Sequence, residues 1–267
     1  MLYWKQGLDM MMPAVDIGFV FALRQESVGI LDRLKHSRKT QGNGWNFHTG
    51  MIGGISIALI LSGTGQKNAE EAVQILIDIF APKLVCSAGY AGGLSARLKR
   101  YHLCVPEQVL RESDCRALDL STVIPQNTQP KPEKLTLLTV NDVVELPEQK
   151  RLLHEQTGAE LVDMETFAVA DVCRIREIPF CSFRVILDAV DDRIPKDIAK
   201  ILGNTGKGVS RLSGTILGSV WLRPSLVLDL VTLKQRAFVA TERLAHFVLA
   251  ELSRRKIVTE KPNLLES

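Results

Sequence analysis

The chain has 267 residues, 46% of them hydrophobic and 24% charged, with a formal charge of +3 at neutral pH. That balance is typical of a soluble globular protein, long enough for one large α/β domain or two small ones. The charge is spread along the chain, which argues against nucleic acid as a partner.

In chain order, residues 1–13 carry one lysine and a short apolar patch but lack the apolar core and cleavage site of a signal peptide. Asp16 to Ala22 reads as a short strand, followed by a helix from about Gln25 to His36. Trp45 to Gly50 and Ile55 to Leu61 read as strands around a Gly53-Gly54 turn, a hairpin signal. After Ser62-Gly63-Thr64-Gly65 the spacing of apolar residues predicts a helix over 68–80, which Pro82 ends. Leu84 to Ala88 reads as a buried strand running into Gly89-Tyr90-Ala91-Gly92-Gly93-Leu94. Val105 to Leu110 and Leu135 to Val140 are further strands, separated by a proline-bearing loop over 124–134. A helix over 164–176 and a strand over 180–187 complete a βαβ rhythm, which predicts a mostly parallel sheet with helices on both faces.

Past Asp192, Gly203, Gly206 and Gly208 mark a flexible loop. A helical region follows over about 224–255, apolar at Leu226, Leu230, Leu233, Phe238, Leu244, Phe247, Val248 and Leu252. It is expected to pack on the sheet or at a subunit interface; the alternative is an amphipathic surface meeting a lipid-like substrate. The most apolar stretch, 212–231, is interrupted by Arg223, Pro224 and Asp229, so no membrane span is expected. The five cysteines, Cys86, Cys104, Cys115, Cys173 and Cys181, form no CxxC pair. Cys86, Cys173 and Cys181 sit in apolar runs that suit reduced, buried thiols, and a cytoplasmic protein fits best. The histidines show no ligand spacing, so neither a metal nor a cofactor is expected.

Chemistry concentrates at three places. Asp163 and Glu165 flank Met164 at the mouth of a helix, where acids are also favoured simply by the helix dipole. The strand beginning near Phe180 delivers Asp188 at its carboxyl end, the position at which open α/β sheets bind ligands. The glycine runs at 62–65 and 89–93 each follow a strand, where backbone N–H groups can approach a ligand or anion. Neither is a Walker loop or a dinucleotide fingerprint.

Five segments in order carry a resemblance. Ile17-Gly18-Phe19-Val20-Phe21-Ala22-Leu23-Arg24-Gln25-Glu26, Ser62-Gly63-Thr64-Gly65, Ser87-Ala88-Gly89-Tyr90-Ala91-Gly92-Gly93-Leu94, Val162-Asp163-Met164-Glu165 and Arg184-Val185-Ile186-Leu187-Asp188 resemble the purine nucleoside phosphorylase and nucleosidase superfamily. The nearest branch is that of the methylthioadenosine/S-adenosylhomocysteine nucleosidases. The resemblance covers roughly residues 15 to 192 and implies a three-layer α/β/α fold, a mixed sheet flanked by helices; the domain is expected over 13–200, with 201–267 as a helical extension packing on it or at a subunit interface. It implies a homodimer acting on a small nucleoside to release adenine.

By the same resemblance, Asp188 donates a proton to the leaving base, Glu26 is the general base on water, and Arg184 positions that water. Glu165 accepts from the ribose hydroxyls with Met164 on the sugar face. Asp163, Tyr90, Ala91, Gly92 and Gly65 complete the substrate site. The chain departs from the family pattern in three ways. Tyr90 replaces a serine of the glycine signature, and Arg24-Gln25-Glu26 keeps only the last acid of a cluster. The 139–144 segment has no aromatic residue to stack on the base, which leaves Tyr90 or Phe167 for that role.

The stretch Leu146-Pro147-Glu148-Gln149-Lys150 with Thr157-Gly158-Ala159-Glu160 is also similar to a hopanoid-associated branch linked to removing adenine from an adenosylated lipid. Phosphorolysis is the other alternative, with Arg24, Arg184 and the 62–65 loop as phosphate candidates. The charge of Glu26 would repel a dianion and favours water. A catalytically silent nucleoside-binding protein on the same fold is the alternative of another class.

Overall fold

The computed structural model describes residues 13–42, 44–120, 135–194 and 224–254, with the side chains of the last segment described from Gln235 onward. Four strands and two helices form the first half: β1 (Ile17–Phe21), α1 (Arg24–Leu31), β2 (Lys35–Gly42), β3 (Trp45–Ile52), β4 (Ile55–Leu61) and α2 (Gln66–Phe80). Next come the long strand β5 (Leu84–Gly93) and the shorter β6 (Leu103–Cys104), β7 (Gln108–Arg111), β8 (Ala117–Asp119) and β9 (Thr136–Thr139). The remainder is α3 (Pro147–Thr157), β10 (Leu161–Asp163), α4 (Thr166–Ile175), β11 (Phe180–Asp188) and α5 (Pro224–Arg254).

Among the described residues, eleven strands join one sheet. It is mixed: β1 lies parallel to β4 and β5, and β5 parallel to β11, while β3 is antiparallel to both β2 and β4, and β10 to β5. The strand periodicity sorts side chains onto two faces. Ile17, Phe19, Phe21, Cys86, Phe183 and Val185 point to a layer made by α1 and α5. Val20, Val85 and Ile186 point the other way, onto Ala72, Val73 and Leu76 of α2 and Phe167 and Val169 of α4. Three layers result, with the sheet in the middle. Cys86, Cys173 and Cys181 are buried and form no disulfide, and Cys104 is buried with them.

Several expectations change. Helix α1 ends at Leu31 rather than His36, because Lys35–Gly42 forms a strand pairing Thr40 with Phe47 and Gly42 with Trp45. This strand lies at the sheet edge and is largely exposed, so it shows no apolar alternation to betray it. The Gly53-Gly54 hairpin is present, with φ of 58° and 86° at the two turn positions, values that suit glycine. The sheet is less parallel than the βαβ rhythm implies. Helix α3, absent from the sequence reading, is polar; it opens with Pro147 at its first turn and stops at Gly158, whose φ is 71°. Helix α4 starts at Thr166, so Asp163 ends a strand and Glu165 occupies the N-cap position.

In α5, Ala240, Leu244, Ala245 and Val248 are buried at helical spacing, and Phe247 meets the Phe183 ring edge-on at 5.9 Å. Phe238, expected on that face, is 71% exposed instead. The loops over 124–134 and 203–208, and the side chains of Leu226, Leu230, Leu233 and Leu252, lie outside the described residues. No helix among the described residues is long and apolar enough to cross a membrane.

Candidate active site

Strand β5 changes partners along its length. On one edge β11 accompanies it from Val85 to Gly92. On the other, β1 pairs with Leu84 to Ser87, and β10, running the opposite way, pairs with Gly92 and Gly93. Residues 88–91 therefore lack a strand partner on that edge, and the carboxyl ends of β1 and β10 converge on the gap.

Glu26 fills it from the β1 side. It is the third residue of α1 and reaches back to the backbone N–H of Leu23 at 2.7 Å, one half of a capping box. Its other oxygen accepts the N–H of Tyr90 at 2.8 Å, satisfying a donor that β5 would otherwise leave orphaned. The side chain is buried, and that burial pushes its pKa up to about 7 against these two hydrogen bonds and the charge of Arg184.

Glu165 arrives from the β10 side. Its Oε1 accepts the Gly65 N–H at 2.6 Å, and Oε2 has no partner among the described residues. Burial, and then the neighbouring charge of Asp163, raise its pKa. Asp163 is fully engaged by the protein. Its Oδ1 accepts from Thr139 Oγ1 at 2.8 Å; its Oδ2 accepts from the Thr166 N–H, the Thr166 hydroxyl and Arg184 Nη2 at 3.0 Å. The Arg184–Asp163 pair is only 3% and 2% exposed. Arg184 also donates to Ser87 Oγ at 2.6 Å and to the Phe183 carbonyl.

Asp188 ends β11 just past a register shift opposite Gly92. Its side chain is 15% exposed and forms an ion pair with Lys150 of α3, itself fully buried. Burial raises the Asp188 pKa, and the ammonium of Lys150 opposes that rise.

Glu26, Tyr90, Ala91, Gly92, Asp163, Met164, Glu165 and Asp188 all line one cavity of about 120 Å³, whose other walls are largely apolar, with Val140, Val144, Leu187 and Ile194 among them. A smaller cavity of about 10 Å³ adjoins Glu26 and Glu165 and is bounded by Ser62, Ser87 and Arg184. It is roughly the size of one water.

Other sequence-named residues lie elsewhere. Gly65 lines neither cavity; its N–H serves Glu165. The N–H groups of Ser62 and Gly63 donate to the carbonyls of Phe21 and Ala22, so three of the four residues in the 62–65 loop have no N–H available to cradle an anion. Arg24 is exposed and lines neither cavity. Phe167 is buried beneath Arg111, whose guanidinium carbon sits 4.6 Å from the ring centroid, and faces away from the pocket. The Tyr90 hydroxyl meets Thr241 Oγ1 of α5 at 2.6 Å, which fixes the ring against the C-terminal helix. Lys150 was not singled out from the sequence for chemistry: one lysine in a polar helix carries no local mark.

A profile of the phosphorylase superfamily matches residues 16–219, well over half of the chain. The chain belongs to the phosphorylase superfamily. Within the superfamily it is similar to the 5′-methylthioadenosine/S-adenosylhomocysteine nucleosidase of Oceanobacillus iheyensis, at 23% identity over 73% of this chain and 96% of that protein. Among the solved structures of similar fold are two from Helicobacter pylori. One is a 5′-methylthioadenosine/S-adenosylhomocysteine nucleosidase bound to a pyrrolidine inhibitor, with TM-score 0.66 and 18% identity over 91% of this chain and all of that one. The other is a futalosine hydrolase, with TM-score 0.63 and 19% identity over 92% and 99%. At these identities the structural matches speak for the shared fold, a mixed sheet flanked by helices.

Proposed function

We propose that this superfamily member hydrolyses the N-glycosidic bond of a 5′-substituted adenosine and releases adenine. The observation that carries the reading is the pair Glu26 and Asp188, one buried and one partly buried carboxyl group with raised pKa values on one cavity, each held by the protein in a different way. Breaking the bond from sugar to base leaves negative charge on the base and oxocarbenium character on the sugar, so an acid on one side and an activated water on the other answer both needs.

In this reading Asp188 protonates the departing base. Glu26 takes the proton of a water seated in the small cavity beside Ser87 and Arg184, and the water oxygen bonds to the anomeric carbon. The free Oε2 of Glu165 accepts from the ribose hydroxyls, and Met164 packs on the sugar. Arg184 and Asp163 are frame residues that hold the turn before α4. The similarity to nucleosidases supports the reaction class.

Two observations support water over phosphate as nucleophile. The 62–65 loop has little donor capacity left, and the cavity next to Glu26 has room for about one water. The homodimer, the cytoplasmic setting and the role of 201–267 as an extension of a 13–200 domain belong to the same proposal.

The test is adenine release from methylthioadenosine with and without phosphate. Release in its absence, with free methylthioribose as co-product, is the expected result. Release only with phosphate would overturn hydrolysis. Tight nucleoside binding with no release would make the chain a binding protein.

A further inference from the structure

Lys150 has no place in the reaction just described, yet its side chain is only 1% exposed. A buried ammonium is costly unless it is paired and fully hydrogen-bonded. Its three N–H bonds find three acceptors: Asp188 Oδ2, the Ala189 carbonyl at 2.9 Å and the Asp192 carbonyl at 2.9 Å. No donor remains for a substrate, so any contribution to chemistry passes through Asp188.

The turn that carries Asp188 is braced again by Asp192. Its Oδ2 accepts the Ala189 N–H at 2.7 Å and its Oδ1 accepts from Arg100 at 2.5 Å. The ionisable groups around Asp188 are therefore Lys150 from α3, Asp192 in its own turn, and Arg100 ahead of β6. Arg236 of α5 acts on Asp192, and Glu26, Asp142, Asp163 and Glu165 line the shared cavity. Lys150 is the cation that touches the carboxylate. Asp188 Oδ1 has no hydrogen bond among the described residues.

We propose that Lys150 is the positioning residue for the leaving-group acid: its ammonium occupies Asp188 Oδ2, so the acid's proton resides on Oδ1 and the carboxylate left after transfer is already ion-paired. This rests on the nucleosidase reading above. In the step itself the Oδ1–H bond breaks as the base N–H bond forms. The electron pair of the glycosidic bond goes to the base, and Lys150 keeps all three of its protons. The ammonium beside it makes Asp188 a stronger acid than burial alone would allow.

The experiment compares Lys150→Met and Lys150→Arg with the unaltered chain on two substrates. One is methylthioadenosine; the other is the 4-nitrophenyl glycoside of methylthioribose, whose leaving group departs as a stable anion and needs no proton. With methylthioadenosine, Lys150→Met should lower kcat about tenfold to a hundredfold. The alkaline limb of kcat/KM should move up by roughly one pH unit or more, because the acid has lost its cation. The nitrophenyl glycoside should be cleaved at nearly the original rate, and Lys150→Arg should return the limb to its original place. Equal losses on both substrates with the limb unmoved would overturn the proposal and leave Lys150 as a brace for the turn.

Should Lys150→Met fail to fold, the Asp188→Asn and Asp188→Asn/Lys150→Met pair avoids an orphaned buried carboxylate. Removing Lys150 should then change neither rate further, and an additional loss would overturn the inference. An unaltered chain inactive on methylthioadenosine under every condition would sink the nucleosidase reading and this inference with it; an active one with an unmoved limb sinks this inference alone.

Discussion

The backbone N–H of Tyr90 donates to Glu26 Oε1 at 2.8 Å, so the carboxylate stands where a neighbouring strand would otherwise bond to β5. The proposed base is thereby held by the same stretch of backbone that floors the pocket. Gly89 makes the approach possible: a Cβ at that position would lie 2.6 Å from Glu26 Oε1.

Gly89→Ala should therefore displace the Glu26 carboxylate while leaving the sheet intact. Turnover is expected to fall by about tenfold to a hundredfold, the cost of a shift approaching an ångström in a reacting group. Circular dichroism and steady-state kinetics check it, and an unchanged kcat would separate the position of Glu26 from the chemistry.

Glu26 also makes stability depend on pH. Its pKa rises from 4.5 in the unfolded chain to about 7 in the folded one, so between those values the folded state binds more protons and stability falls as pH rises. The contribution is present in full below about pH 4.5 and is lost across the window up to about 7. Relative to Glu26→Gln, the unaltered chain should lose about 3 kcal/mol of unfolding free energy between pH 4 and pH 8. Urea titrations at the two pH values measure the difference; a gap that does not change with pH would mean Glu26 titrates normally.

Asp188→Asn should abolish adenine release while keeping the fold, a loss of about a hundredfold to ten-thousandfold as expected for a missing general acid. Thermal melting and an adenine assay test it together. Near-normal turnover would remove Asp188 from the role.

Arg184→Met should act on stability first. It strands Asp163 as a buried, unpaired carboxylate, at a cost of about 3–5 kcal/mol. The double change Arg184→Met/Asp163→Asn should recover part of that loss, because the orphaned charge is gone. Denaturant midpoints decide it: a single variant as stable as the original chain would contradict the buried ion pair.

Much of this architecture is readable along the chain. The strands from Ile17, Ile55, Leu84 and Phe180 are apolar and buried, and α2 shows its stripe at Ala69, Ala72, Val73 and Leu76. Elements that were missed carry no such pattern. Lys35–Gly42 is an exposed edge strand, β10 has three residues, and α3 is a polar helix whose buried residue is Lys150. Phe167 and Arg24 were candidates by residue type alone; burial and exposure, respectively, take them out of the pocket.

The sequence by itself pointed to the family and named the candidate acids, since both are written in contiguous motifs: Glu26 after the first strand, Met164 and Glu165 in one turn, Asp188 at a strand's end. Only the tertiary structure decided what the oxygens of each acid meet: both of Glu26 accept backbone N–H groups, while Glu165 and Asp188 each keep one oxygen without a partner among the described residues. Glu26 meets its Tyr90 donor across 64 residues of sequence, and Asp188 meets Lys150 across 38. Such pairings arise from strand register and helix packing, which bring distant residues together under burial. A short motif records the residue types at a site but not the neighbours that set their charge.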